Sequence, residues 1–528
     1  MKRILISLAL VAAVLSVAGQ SSDAVVRDKV TSAVMKVYDD HLAQNPNDYN
    51  VMFARAHQHF YNGDFTSALT DVNQALLLTP KTDKELRFDE YILRARISDA
   101  RQDYNGELAD LRLAQELQPK SLPCTDLIAK ANLKAGNLDA AAKAFKTILR
   151  AESKNYDAMY GMAQVEQARG NAKAALDQVN KAVDLFRAEP QVYVNRSDIY
   201  ARQGNIPAAV QDLLIGMSVG DGGSAVNQLF DLSDRNYDGV MDALAAIADQ
   251  NVSSGGLYRY LRANISIDHC HYSQALADLN NIKSNHLYDS PNVDYHIAKC
   301  CFEMSRYDEA VSHVDAAINA DPLQPEYFLV KSLAEYYAGD GGNVKAAMEA
   351  LDRCSLVNPQ YVPMLLGKAS LLASQGQDKS ALGYLNAAVA TEPGDAQVLL
   401  SRALVLKDLG YDKLATRDLN TVALMSDDLY DLKGLALNLL GRDTEAFRWL
   451  SKITSTPVPG GENYYYAALF MSQRGDNYRA IDYLRKAVSN GFGSLHRLQS
   501  DVLSPLNLKS LRSEPGFETL VKELGFRF

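Results

Sequence analysis

The chain has 528 residues, of which 47% are hydrophobic and 22% charged, with a formal net charge of -10. That much apolar content supports a continuous buried core and excludes a disordered chain, while the acidic balance excludes a general nucleic-acid binder, which needs a basic stripe. Five cysteines in so long a chain exclude a scaffold built on disulfides.

Residues 1–19 read as a signal peptide. Lys2 and Arg3 precede an apolar run from Ile4 to Val17, and the small residues Ala18 and Gly19 follow. The run is too short to span a bilayer comfortably, and cleavage after Ala18 or Gly19 leaves a mature chain starting near Gln20. No later stretch is long and apolar enough to suggest a transmembrane segment, so the expected address is exported, a bacterial periplasm first and the extracellular space second. Residues 20–46 contain one helix, Val30 to Pro46, with no partner before it, and so form a half-repeat.

From residue 47 the chain repeats. Gly136, Gly170 and Gly204 lie 34 residues apart, as do Gly376 and Gly410, Gly441 and Gly475, and Pro359 and Pro393. A period of that size holds two helices and two short connections. With the turn glycine numbered 15, position 8 is small (Ala56, Ala95, Ala129, Ala163, Ser197, Ala263, Ala298) and position 20 is alanine (Ala68, Ala141, Ala175, Ala209, Ala275, Ala310, Ala381). Short side chains at these two places let antiparallel helices cross closely. Position 24 is bulky and apolar, as at Val72, Leu111, Phe145 and Leu213, and fills the space between neighbouring units. Pro46, Pro80, Pro119, Pro322, Pro359 and Pro393 close several units by breaking the helix before them.

This pattern resembles the tetratricopeptide repeat over most of the mature chain. Three departures stand out: position 4 carries Met, Leu or Tyr where the family often has tryptophan, Glu107 replaces an alanine at position 20, and Gly339 to Asn343 lengthen one turn. The resemblance implies an all-α fold, a right-handed superhelical α-solenoid of stacked antiparallel helix pairs. About five repeats fill 47–221, with a looser joint at Lys81 to Leu86, and about seven fill 256–490. Between them, 222–255 reads as a degenerate repeat or hinge. The final segment, 491–528, breaks the period at Pro505 and Pro515 and reads as a cap.

Chemistry-bearing motifs are sparse. Asp234, Asn236, Asp238, Gly239 and Asp242 match the first part of an EF-hand loop, but Ala245 stands where the bidentate glutamate belongs. This string carries the alternative reading, a calcium-dependent module or enzyme accessory subunit using residues 220–255. His269-x-His271 and His57-x-His59 place their rings on different sides of a helix and chelate poorly. Cys270 and either Cys300 or Cys301 leave a bridge open as a question. No nucleotide loop, hydrolase elbow or zincin motif occurs. The expectation is therefore a protein that is not an enzyme, with no catalytic residue, cofactor or metal.

In the family that the pattern resembles, the first helices line a groove that binds protein or peptide segments. The resemblance implies groove positions for Phe53, Tyr160, Tyr260, Tyr295, Phe328 and Tyr465, placed at position 5, where aromatic rings offer large contact area with few rotors to freeze. The pairs Asp126 with Lys130 and Tyr160 with Gln164, at positions 5 and 9, do not fit a clamp for a partner's C-terminal carboxylate. The implied function is a protein-interaction scaffold in envelope assembly, secretion or surface-complex maintenance.

Overall fold

The computed structural model describes residues 34–525 apart from 221, 251–254, 339–342, 426–429, 457, 495, 497–507, 509–510 and 512. The expected signal peptide, the first residues of the expected half-repeat helix, much of the lengthened turn at Gly339 and most of the segment after His496 lie outside the described residues. Helices and turns make up the described residues, and no strand occurs among them. Two units divide the chain, with their boundary at residues 243 and 244.

The first unit starts with α1 (34–44). Five hairpins follow: α2 (Tyr49–Tyr61) with α3 (Phe65–Leu78), α4 (Lys84–Ala100) with α5 (Tyr104–Leu117), α6 (Leu122–Lys134) with α7 (Leu138–Ala151), α8 (Tyr156–Ala168) with α9 (Ala172–Leu185), and α10 (Pro190–Arg202) with α11 (Ile206–Ser218). Then comes α12 (Gly223–Arg235), and the unit boundary falls within α13 (Tyr237–Gln250).

Seven hairpins build the second unit. They are α14 (Gly255–Asp268) with α15 (Tyr272–Ser284), α16 (Pro291–Glu303) with α17 (Tyr307–Ala320), α18 (Pro325–Tyr337) with α19 (Val344–Val357), and α20 (Val362–Ser374) with α21 (Asp378–Thr391). The last three are α22 (Ala396–Asp408) with α23 (Asp412–Ala423), α24 (Tyr430–Leu439) with α25 (Asp443–Ser455), and α26 (Glu462–Gln473) with α27 (Asn477–Ser489). A final helix, α28 (Pro515–Gly525), packs on α27.

Local chemistry sets where helices start and stop. Asp48, Asp64, Asp83 and Asp103 each accept a hydrogen bond from a backbone amide in the first turn of α2 to α5, and Asn155, Asp395 and Asp476 do so at α8, α22 and α27. Such caps satisfy amides that have no partner inside the helix. At position 15 the chain enters the left-handed region, with φ of 76° at Gly136 and 81° at Gly170. A Cβ added at either glycine meets nothing within 4 Å, so backbone conformation and not space selects glycine there. Gln102, Cys270 and Ser305 occupy the same turn position with φ of 61°, 59° and 60°.

Packing follows the period. The alanines at positions 8 and 20 are buried in both units, among them Ala56, Ala163, Ala298, Ala68, Ala175 and Ala381. Position 24 is buried throughout, from Val72 to Leu484. Phe145 is the one aromatic ring at position 24 in this series, and Gly161 opposite makes room for it. A Cβ on Gly161 would lie 2.2 Å from the Phe145 ring. Glu107, the departure at position 20, is buried with its Oε2 lacking a hydrogen-bond partner, and burial pushes its carboxyl up from the ordinary value.

A recurrent ion pair ties the repeats together, and the sequence reading missed it. Position 7 is arginine and position 23 aspartate in five repeats: Arg55 with Asp71, Arg94 with Asp110, Arg196 with Asp212, Arg262 with Asp278, and Arg402 with Asp418. The contacts use two guanidinium nitrogens and two carboxylate oxygens, at 2.7 Å and 2.7 Å for Arg196 and 2.7 Å and 2.9 Å for Arg402. In four of the five the remaining nitrogen reaches back to position 25 of the preceding repeat: Asp39, Asn73, Asn180 and Asn386. In two repeats where position 23 is not acidic, lysine stands at position 7 and makes the backward contact, Lys331 to Asp315 and Lys368 to Asp352. Bidentate geometry of this kind fixes register as well as contributing energy.

Two substitutions test this packing. Gly161→Ala is expected to cost about 1–3 kcal/mol by overpacking, and to cost measurably less in a Phe145→Leu background, read as a double-mutant cycle in urea unfolding. Gln102→Gly, at an exposed turn residue held at positive φ, is expected to raise stability by about 0.5–1 kcal/mol in the same assay.

Candidate functional site

Even-numbered helices from α2 to α26 are the first helices of their hairpins. Neighbouring first helices touch directly, as α6 does α8, α8 does α10, α16 does α18, and α24 does α26. Second helices do not approach one another to that degree among the described residues. The first helices therefore form the tighter, inner face of each unit, and positions 5, 9, 12 and 13 recur along it.

In the first unit this face is polar and part-exposed. Phe53 meets His57 edge-on with ring centroids 4.8 Å apart, and both are part-buried. Beyond them the face carries Arg96 and Asp99 on α4, Asp126, Lys130 and Lys134 on α6, Tyr160 and Gln164 on α8, and Asp198 and Arg202 on α10. Lys134 Nζ donates to Asp99 at 2.5 Å, and Lys130 pairs with Asp126 at 2.6 Å. Tyr160 Oη donates to Asp198 at 2.9 Å, and Arg202 Nε donates to the same carboxylate at 2.6 Å. Burial and the neighbouring Asp198 carboxylate push the Tyr160 phenol up, so it stays a donor. A rail of alternating charges runs along the face, with Arg96 and Lys130 open to solvent.

The second unit is different. Tyr260 packs against Tyr288 and His296 at centroid distances of 5.2 Å and 5.4 Å, and Tyr295 packs against Tyr327 at 4.8 Å. Burial drives the His296 imidazole well below its ordinary value, and its Nδ1 has no hydrogen-bond partner. One turn along, Lys299 is buried with its ammonium 5.8 Å from the Tyr295 ring centre, and burial lowers its pKa to about 7. Phe302 and Glu303 follow at positions 12 and 13, both buried.

The six aromatic residues expected in a groove are thus placed unequally. Phe53, Tyr160 and Tyr260 are part-buried on inner faces. Tyr295 and Tyr465 are 5% and 1% exposed, the latter stacked on Phe492 at 4.8 Å and 9° between planes. Phe328 is a correction of register. Helices α16 and α18 start 34 residues apart, at Pro291 and Pro325, so position 5 is Leu329 and Phe328 stands at position 4, buried beneath the Arg353 guanidinium at 4.8 Å. The structure brings Tyr260 and Tyr295 against the His296 ring, at centroid distances of 5.4 Å and 5.1 Å.

The acidic string at 234–242 is a helix junction. Asn236 ends α12, and its Oδ1 accepts from the amide of Gly239 at 3.1 Å to start α13, on which Asp238 and Asp242 lie a turn apart. No disulfide links the cysteines, which are all buried. Burial pushes the Cys124 and Cys301 thiols up to about 11 and that of Cys354 up to about 12, so they stay protonated. No helix of the described residues is long and apolar enough to cross a membrane.

Comparison with protein-family models adds one match: residues 132–194, from the end of α6 into α10, fit the tetratricopeptide repeat. Over that span the chain is similar to the tetratricopeptide repeat. The matched span falls a little short of two 34-residue periods, with α7, α8 and α9 whole, and the same small, bulky and turn positions recur in hairpins on either side of it. Among curated proteins none matches. Solved structures similar to it include the Naa15/Naa10 complex bound to HypK-THB, at 15% identity over 95% of each chain with a TM-score of 0.33. A thermophilic repeat protein of Thermus thermophilus is 19% identical over 39% of this chain and 99% of its own, with a TM-score of 0.29. A tetratricopeptide repeat protein of Parabacteroides merdae is 15% identical over 47% and 99%, with a TM-score of 0.24.

Lys299 yields a pH test. Its folded pKa lies below the unfolded value of about 10.4, so the unfolded chain binds more protons between pH 7 and 10 and this group makes stability rise with pH across that window. Lys299→Met is expected to flatten that rise and to be more stable than wild type at pH 7, measured by urea unfolding at pH 7 and pH 9.5.

Proposed function

We propose that this repeat protein is an exported, noncatalytic scaffold that holds an extended segment of a partner protein along the inner face of its first unit. The observation that carries this reading is the rail of charged and amide side chains on α4, α6, α8 and α10, with Arg96 and Lys130 exposed and Tyr160 set among them. Side chains on a rigid inner face lose little freedom on binding, and alternating charge selects register more than it adds affinity.

A partner segment that suits the rail is extended and carries both signs of charge, with apolar groups for the Phe53 and Tyr160 rings. The layout of residues 1–19 supports an exported address, with the bacterial periplasm first and the extracellular space second. Envelope assembly, secretion or upkeep of a surface complex are processes in which such a holder has work. The buried thiols and the helix-capping role of Asn236 favour this reading over an enzyme or a calcium module in residues 220–255.

A photo-crosslinking residue placed at Gln164 is expected to trap one defined partner segment in native envelope extracts, identified by mass spectrometry. The same residue at Leu77, exposed on α3, is the control. Lys130→Glu with Lys134→Glu should lower the Gln164 yield at least tenfold while the chain keeps its helical circular dichroism and cooperative unfolding. Equal yields from Gln164 and Leu77, or an unchanged yield in the double variant, overturn the proposal.

A further inference from the structure

One hairpin of the first unit departs from the period at two core places. Position 3 is buried as Cys124, Ala158 and Val192 in α6, α8 and α10, and position 20 is Ala68, Ala141, Ala175 and Ala209 in α3, α7, α9 and α11. In the α4–α5 hairpin the same two places carry Glu90 and Glu107, 0% and 5% exposed. Oε2 of each has no hydrogen-bond partner. A carboxylate enclosed in this way is costly, while alanine at position 20 serves the other four hairpins of the unit. The packing of the period therefore explains neither glutamate.

Hydrogen-bond counting places a proton on Glu90. Thr79 Oγ1, at the end of α3, lies 2.9 Å from the Ala75 carbonyl oxygen and 2.5 Å from Glu90 Oε1. A threonine hydroxyl has one hydrogen, so a charged Glu90 leaves one of these two acceptors without a donor. A protonated Glu90 closes the chain of bonds: its O–H donates to Thr79, and the Thr79 O–H donates to Ala75. The cations nearby are committed elsewhere. Arg87 donates to the Leu76 and Thr79 carbonyls and to the Tyr91 hydroxyl, and Arg94 is forked onto Asp110 of α5 with its third nitrogen on Asn73 of α3. Burial pushes the Glu90 carboxyl up from its ordinary value, and Asp83, the cap of α4, adds like charge. Glu107 is raised by burial first and then by Asp99 of α4, with Lys134 of α6 opposing.

We propose that Glu90 and Glu107 make the α4–α5 hairpin a proton-dependent element of the first unit, seated when both carboxyls are protonated and loosened when they are charged. Carboxyls raised in the folded state keep protons that the unfolded chain releases at about pH 4.3, so their contribution to stability is full below that value and is lost as pH rises through the folded values. A hairpin in a stack of repeats opens as a local unit, and the loss is felt there first. The turn of this hairpin is strained as well, with Gln102 at a φ of 61° where the other four have glycine, which brings local opening within reach of two titrations. Helix α4 also carries Arg96 and Asp99 of the rail, so the state of the hairpin governs how those two side chains are presented. The inference goes beyond the holding of a partner and does not depend on it.

Hydrogen–deuterium exchange of the full-length chain, read by mass spectrometry as protection factors so that the intrinsic pH dependence cancels, tests this with no partner present. Wild-type peptides from α4 and α5 are expected to lose at least tenfold in protection between about pH 4.5 and about pH 8, relative to peptides from α8 and α9. Glu90→Gln with Glu107→Gln is expected to remove that loss. Glu107→Ala, which restores the residue of the period at the crossing, is expected to reduce it at least threefold. Asp89, raised by burial and Glu85, and His57 of α2, lowered by burial and Arg96, titrate beside the same hairpin. They are unchanged in these variants, so any difference from wild type belongs to the two glutamates. A wild-type hairpin that loses no more protection than α8 and α9 overturns the inference, and so does a loss of wild-type size in the glutamine double variant or in Glu107→Ala; either result leaves the reading of the rail standing.

Discussion

Helix crossings in this protein are close because small side chains stand at nearly all of them. Each hairpin meets at positions 8 and 20, where short side chains let the two backbones approach, and Glu107 at position 20 of the α4–α5 hairpin is the departure. Once the pair is close, the bulky residue at position 24 projects beyond its own hairpin and reaches the next one, so every hairpin is completed by its neighbour. Stability is then a sum of local terms, and the chain gains length without enlarging its centre. The exchange between Phe145 and Gly161 shows how narrow the tolerance is: an enlarged ring at position 24 is matched by loss of a whole side chain opposite.

Ion pairs add what apolar packing lacks, which is register. An alanine crossing is nearly featureless, and two helices can slide along it at little cost. An arginine at position 7 forked onto an aspartate at position 23 fixes the hairpin, and its spare nitrogen at position 25 of the preceding repeat fixes the stack. Both partners lie 16 residues from the arginine, one ahead and one behind. Arg94 is the exception that confirms the geometry: the joint at Lys81 to Leu86 adds five residues, and its backward partner Asn73 is 21 residues away while the contact is kept. Partly buried pairs of this kind contribute little net energy and much specificity.

The fold was legible in the sequence because it is written with a period, and periods survive single departures. Glycine at the turns and alanine at the crossings each have one physical reason to be there, so their spacing reads directly as hairpins. The arginine–aspartate ladder obeys the same period and was overlooked, since charged residues on helices are usually solvated and only their 16-residue spacing sets these apart. The inner faces were legible in location but not in content. Position 5 says that a side chain faces inward, yet it does not say whether that place is open, as at Tyr160, or already covered by distant chain, as at Tyr465 beneath Phe492. Phe328 shows a further limit, for a lengthened turn after α18 blurs the count by one.

The two units put one architecture to contrasting uses. In the first, inner-face side chains satisfy one another in exposed and part-buried polar pairs, so a partner exchanges one set of polar contacts for another. In the second, aromatic rings crowd the face and a buried glutamate lies among them, an arrangement that would be costly if left open. Phe492, Ser494 and His496 pack there, the Ser494 hydroxyl donating to Glu303 and the His496 ring lying among Phe302, Tyr307 and Tyr337. Cys270 and Ser305 hold the left-handed conformation that glycine takes at Gly136 and Gly170, and they do so beside these residues: the Cys270 carbonyl lies against Gly493, and the Ser305 hydroxyl accepts from the Tyr307 hydroxyl that faces His496.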